Sequence, residues 1–165
     1  MKKIIVSLLL LLPLGLVAQE MKVAYVNTDE VFNLMPEVSA AESALEAMAN
    51  QYRTMLESVQ KDLEEKYQAF IAQQDSLTEN IKAIRAQELE SIQARGETIQ
   101  QSFAQERQKK QEELMAPIYE KIEKAITQVG EEEGYLMILN PQAFLYKSKS
   151  LIDATAKVKA KMGLR

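Results

Sequence analysis

The side chains of this 165-residue chain best suited to acid–base chemistry are carboxylates, and several stand side by side, as in Glu64-Glu65 and Glu131-Glu132. Such a pair divides acid and base roles only where its surroundings push the two pKa values apart. A helical setting offers no pocket to do so, and these pairs read as solvated charge. The sequence has neither histidine nor cysteine. The commonest general base and the commonest zinc ligand are therefore missing, and no disulfide can form. Ser, Tyr and Lys have no histidine to activate them. There is no GxxxxGK[ST] phosphate loop and no DxDxDG-like calcium loop. Catalytic, cofactor-binding and metal residues are expected to be absent.

Contact chemistry remains, carried by a long middle segment. From Glu37 to Arg95 there is no proline or glycine, and the composition is rich in the helix formers Gln, Glu, Ala, Lys and Arg. Leu45, Met48, Tyr52, Met55, Val59, Leu63, Tyr67 and Phe70 recur at helical spacing. A matching stripe follows in Ile81, Ile84, Leu89, Ile92, Ile99 and Phe103, then Leu114, Ile118, Ile122, Ile126 and Val129. Between the stripes, Gln73–Glu79 reads as a tip, with Ser76 and Glu79 spaced as a capping box. An antiparallel hairpin, its outgoing helix roughly 60 Å long, lets one stripe cover the other. A single helix of about 90 residues in a parallel coiled coil is the competing arrangement. Gly96 and the polar run Gln105–Glu113 predict a pliable arm. Pro117 predicts a bend, Gly130 or Gly134 a stop, and Glu131–Glu133 a solvated terminus.

The chain ends supply a head. Lys2 and Lys3, the apolar run from Ile4 and the small residue Ala18 have the layout of a secretory signal peptide, residues 1–18, cleaved after Ala18. Lys22–Asn27 reads as a strand and Glu30–Met35 as a short helix, with Pro36 in the first turn of the next helix. Tyr135–Leu139 and Ala143–Tyr146 read as two strands of a β-hairpin around Asn140-Pro141-Gln142. A last helix runs from about Ser150 to Met162, with Ser150 and Asp153 spaced as a capping box. The fold class is α+β: a small three-stranded β body carrying a long protruding antiparallel α-helical hairpin. Residues 19–36 and 118–165 form the body and 37–117 the arm. So small a core predicts self-association.

In order along the chain, Val23-Ala24-Tyr25-Val26-Asn27, the Gln/Glu/Lys/Arg-rich helical pair, Gly134–Leu139, Ala143–Tyr146 and Asp153-Ala154-Thr155 resemble the Skp/OmpH family of periplasmic chaperones. The resemblance spans essentially the whole chain after the signal peptide. It implies a homotrimer with helical tentacles that hold unfolded outer-membrane proteins without ATP, in the periplasm. Transient contact with a membrane surface is a further implied partner; nucleic acid is not, since the chain has 20 Lys+Arg against 24 Asp+Glu. The family's best-studied type is basic. Here, without Lys2 and Lys3, 18 cations face 24 carboxylates, a net charge of −6, so hydrophobic capture is the favoured mode. Candidate client contacts lie near the tip: Tyr67, Phe70, Ile71, Leu77, Ile81 and Ile84. Candidate oligomerisation residues are Val23, Tyr25, Leu136, Ile138, Phe144 and Tyr146. The competing reading is a structural coiled-coil adaptor or spacer of the cell envelope, for which the head has no evident use.

Overall fold

Pro36 is where the chain commits to its long helices. Its ring sets φ for a first helical residue, and its missing N–H is one that a helix start leaves unpaired anyway. A computed structural model describes residues 21–165; the expected signal peptide lies outside them. In it α2 runs Pro36–Gln73, a 3₁₀ turn spans Gln74–Ser76, and α3 runs back over Glu79–Glu133. At 1.5 Å per residue these helices are about 57 Å and 82 Å long. The tip expectation is met in place but not in detail. Thr78, not Ser76, precedes α3, and the Ser76 hydroxyl donates to the Gln73 carbonyl at 2.8 Å. Pro117 lies inside α3 without ending it. Gly134 ends it, at φ 66°, a left-handed conformation that a side chain disfavours. The Tyr135 N–H then closes back on the Gly130 carbonyl at 2.9 Å.

The head is built from both chain ends. Strand β1, Val23–Tyr25, is followed by helix α1, Thr28–Asn33, whose first turn is capped by the Asn27 side chain accepting from the Glu30 N–H. After α3 come β2, Met137–Leu139, β3, Ile152–Asp153, and α4, Thr155–Lys161. The sheet order is β2-β1-β3, and both neighbours run parallel to β1.

The expected β-hairpin is therefore wrong. Ala143–Tyr146 forms no strand; it belongs to a crossover between two parallel strands on opposite sides of β1. Parallel strands cannot be joined by a tight turn. The Asn140 side chain accepts from the Gln142 N–H and starts a 3₁₀ turn, Pro141–Ala143. The third strand is Ile152–Asp153, which the sequence pattern assigns to the start of the last helix. It pairs Ile152 with Ala24 and Asp153 with Tyr25. Ser150 does not cap the last helix: its N-cap is Ala154, and Asp153, one residue earlier, accepts from the Thr155 N–H through Oδ1 at 2.9 Å.

One face of the sheet packs on the helices. Ala24, Val26, Val31, Met35, Val38, Ala41, Ile118, Ile122, Ala125, Val129, Ala154 and Val158 form one buried cluster. The acidic end of α3 is not merely solvated: Glu132 binds Lys161 at 2.5 Å and Glu133 binds Lys157 at 2.5 Å, tying α4 to α3.

The arm buries far less. Beyond the head cluster, its buried hydrophobic residues among those described are Val59 and Ile92. Gly96 stands against Val59, so the arm is closed at the point where a loose stretch is expected. A Cβ at Gly96 would meet Val59 Cγ1 at 3.6 Å, an ordinary contact. Gly96→Ala is expected to stabilise the protein by about 0.5–1 kcal/mol, through helix propensity alone. A thermal melt that falls would show the helices packed closer than this. Gln105–Glu113, by contrast, is exposed throughout, as its polarity predicts.

Candidate interaction surfaces

The register of the arm is set by Tyr52 against Phe103, with ring centroids 4.8 Å apart, by Val59 against Gly96, and by the Lys66–Glu88 ion pair. Along α2 the side chains turned toward α3 are Tyr52, Leu56, Val59, Leu63, Lys66 and Phe70, each buried or half-buried. The stripe expected from hydrophobicity thus slips in phase. Leu56 takes the place of Met55, and Lys66 takes the place of Tyr67. Met55 and Tyr67 are exposed.

In the distal half, ion pairs share the seam with Val59, Leu63, Phe70 and Ile92. Lys66 reaches across to Glu88, which also accepts from Arg85 at 2.9 Å. Asp62 accepts from Arg95 at 3.1 Å. The Lys66 ammonium lowers the Glu88 carboxyl, with Arg85 adding to the effect, and Glu88 in turn raises Lys66.

Turning these ionic groups inward turns apolar ones outward. Tyr67 and Ile71 are each 47% exposed, Ile81 39% and Ile84 53%. The register places Ile71 level with Ile84. Of the six tip candidates, these four face solvent, while Phe70 and Leu77 are half-buried within the arm. Of the other stripe residues, Ile92 and Phe103 belong to the seam.

The head presents a second apolar surface. Val23 and Tyr25 alternate with the buried Ala24 and Val26, and so face away from the helices. Phe144 covers Tyr25 edge-on, with ring centroids 6.0 Å apart at 79°. The Tyr25 hydroxyl donates to Asp153 Oδ2 at 2.7 Å and accepts from Lys147 at 2.9 Å. Leu136 is 60% exposed and Tyr146 84%. Ile138 is the exception among the six oligomerisation candidates: it packs on the core, beside Gly130. Parallel sheets are normally covered on both faces, and among the described residues only one face of this sheet lies on helices. Leu145 and Met137, both exposed, extend the same surface and were missed by sequence reasoning. Among the described residues no three His, Cys, Asp or Glu gather as a metal site, and no helix is long and apolar enough to cross a membrane.

The family model for outer membrane protein (OmpH-like) matches residues 22–162. The chain belongs to the OmpH-like family. Chaperone protein Skp of Yersinia enterocolitica is 30% identical over 144 residues, covering 85% of each chain. Chaperone protein Skp of Blochmanniella pennsylvanica is 29% identical over 148 residues, covering 87% of each. A crystal structure from Caulobacter crescentus, described as an OmpH-like outer membrane chaperone, shares the fold with TM-score 0.73 at 16% identity, over 84% of this chain and 81% of its own. These relatives are named as chaperones, not as enzymes.

The OmpH-like match includes Asp153, where the head has its clearest pH dependence. Partial burial pushes this carboxyl up. Hydrogen bonds from the Thr155 hydroxyl and N–H and from Tyr25, with the charge of Lys147, outweigh that and hold it below its ordinary value of 3.8. A depressed carboxyl stabilises the fold above its unfolded pKa, and the contribution is lost as pH falls through the folded value. Acid unfolding is therefore expected to steepen below pH 3.8, and Asp153→Asn to remove that part of the slope. Urea midpoints from pH 6 down to about 2.5 check this; parallel curves for both proteins would contradict it.

Proposed function

We propose that this OmpH-like protein is an ATP-independent periplasmic holdase that binds unfolded outer-membrane proteins and prevents their aggregation in transit to the outer membrane. Residues 37–117 act as the arm, and the head assembles three copies. The observation that carries this reading is the distal arm itself, with apolar side chains outward and ion pairs in its seam. A seam built for maximal stability would bury Tyr67, Ile71, Ile81 and Ile84. Leaving them in water suits many weak, reversible contacts, which several arms acting together strengthen. The naming of relatives as Skp chaperones supports the same conclusion. A passive spacer has no use for an apolar tip.

The test is dilution of a urea-denatured outer-membrane barrel protein into buffer with and without this protein, followed by turbidity. Suppression at a few-fold molar excess is expected; turbidity equal to that with an inert protein would overturn the proposal. Light scattering on the mature protein is expected to give the mass of a trimer, and a clean monomer would remove the shared-head part of the reading.

A further inference from the structure

We infer that the distal arm selects apolar segments flanked by lysine or arginine, and disfavours anionic surfaces. The inference rests on the holdase reading and names the chemistry of the segment held. From Gln60 to Gly96 the chain has five cationic side chains and seven carboxylates, a net charge of −2. All five cations are engaged: Lys61 with Glu65, Lys66 and Arg85 with Glu88, Lys82 with Glu79, and Arg95 with Asp62. The carboxylates of Glu64, Asp75 and Glu90 have no ion-pair partner among the described residues; Glu64 accepts from the Gln68 amide.

Glu64 and Asp75 flank the exposed apolar residues, and Glu90 stands further back along α3. Glu64 precedes Tyr67 by three positions on α2, which puts the two on one helix face. Asp75 follows Ile71 by four positions, at the tip. Glu90 lies about 9 Å along α3 from Ile84, about one Debye length at physiological salt. A segment lying on Tyr67, Ile71, Ile81 and Ile84 thus places its flanks near negative charge without an ion-pair partner and, among the described residues of the distal arm, near no unpaired cation. At such separations in water each favourable pair is worth roughly a two-fold change in affinity.

The experiment titrates the mature protein into two labelled peptides by fluorescence anisotropy. The peptides share one apolar core, flanked by Lys-Lys in one and Glu-Glu in the other. The Lys-flanked peptide is expected to bind about five-fold tighter at low salt, with the gap closing near about 0.5 M salt. Combining Glu64→Lys, Asp75→Lys and Glu90→Lys is expected to reverse the order. Equal affinities, a preference for the Glu-flanked peptide, or binding of the unmodified protein to phosphatidylglycerol vesicles would overturn the inference. If turbidity suppression persists alongside equal peptide affinities, the charge preference alone is wrong. If neither peptide binds and suppression is also absent, the holdase reading falls with it.

Discussion

Replacing Tyr67, Ile71, Ile81 and Ile84 together by glutamine is expected to remove most of the capacity to suppress aggregation while leaving the fold intact. Each of these side chains has about half its surface in water in the free protein, so each has apolar area to bury against a bound segment. Fully burying such a side chain is worth about 1.5–3 kcal/mol, so covering that remainder is worth on the order of 1 kcal/mol apiece, and losing all four weakens binding about 1,000-fold. Stability moves little, because glutamine is as good a helix former as isoleucine or better, and exposed substitutions usually fall within about 0.5 kcal/mol. Turbidity and thermal circular dichroism on one preparation check both halves. A melt that drops by more than about 10 °C would mean these residues hold the arm together. Undiminished suppression would place client contact elsewhere.

Val158→Asp is expected to have the largest effect on stability of any single change described here. Val158 is fully buried on α4, a helix of seven residues that closes the head over α3 and α1. An aspartate there leaves a void and buries a carboxylate whose neighbours in the cluster are apolar. The loss is about 3–5 kcal/mol, a large share of what a small head supplies. Val158→Ala, which only creates a cavity, is expected to lose about half as much. Urea unfolding followed by tyrosine fluorescence separates the two; equal midpoints for both variants would show that the site reaches water.

The same two regions mark where sequence reasoning reached and where it stopped. Pro36 as a helix start and a turn between Gln73 and Glu79 are local signals, and each is in place; of the two glycines that could stop α3, Gly130 and Gly134, it is Gly134 that does. The phase of the arm is not local. Hydrophobicity assigns Tyr67 and Ile84 to the seam, but Lys66 occupies it because Glu88 comes back opposite on the other helix. No pattern within one helix reveals that partner. The head failed in a similar way. Ala143–Tyr146 has the residues of a strand, yet β2 runs parallel to β1, and a crossover must occupy that stretch. Two residues, Ile152 and Asp153, are too few for alternation to register, and they become a strand only because Tyr25 lies alongside. Of the surfaces themselves, the tip cluster was legible from composition, whereas the inward turn of Ile138 depended on this unanticipated topology.

The pairing of Val23 with Met137 also has a consequence for how the chain folds. Closing a loop of that length from a random coil carries an entropy penalty of roughly 4 kcal/mol, and non-local pairings of this kind fold slowly. Pairing of α2 with α3 begins at the tip, between residues close in sequence, and each added turn shortens the remaining gap. By the time Glu37 meets Lys121, 2.6 Å apart in the finished protein, the two chain ends are already neighbours. The hairpin is thus expected to act as a zipper that delivers β1 to β2, with the head forming last. Substitutions that weaken the distal seam should then slow the appearance of the sheet, even though they lie at the opposite end of the molecule.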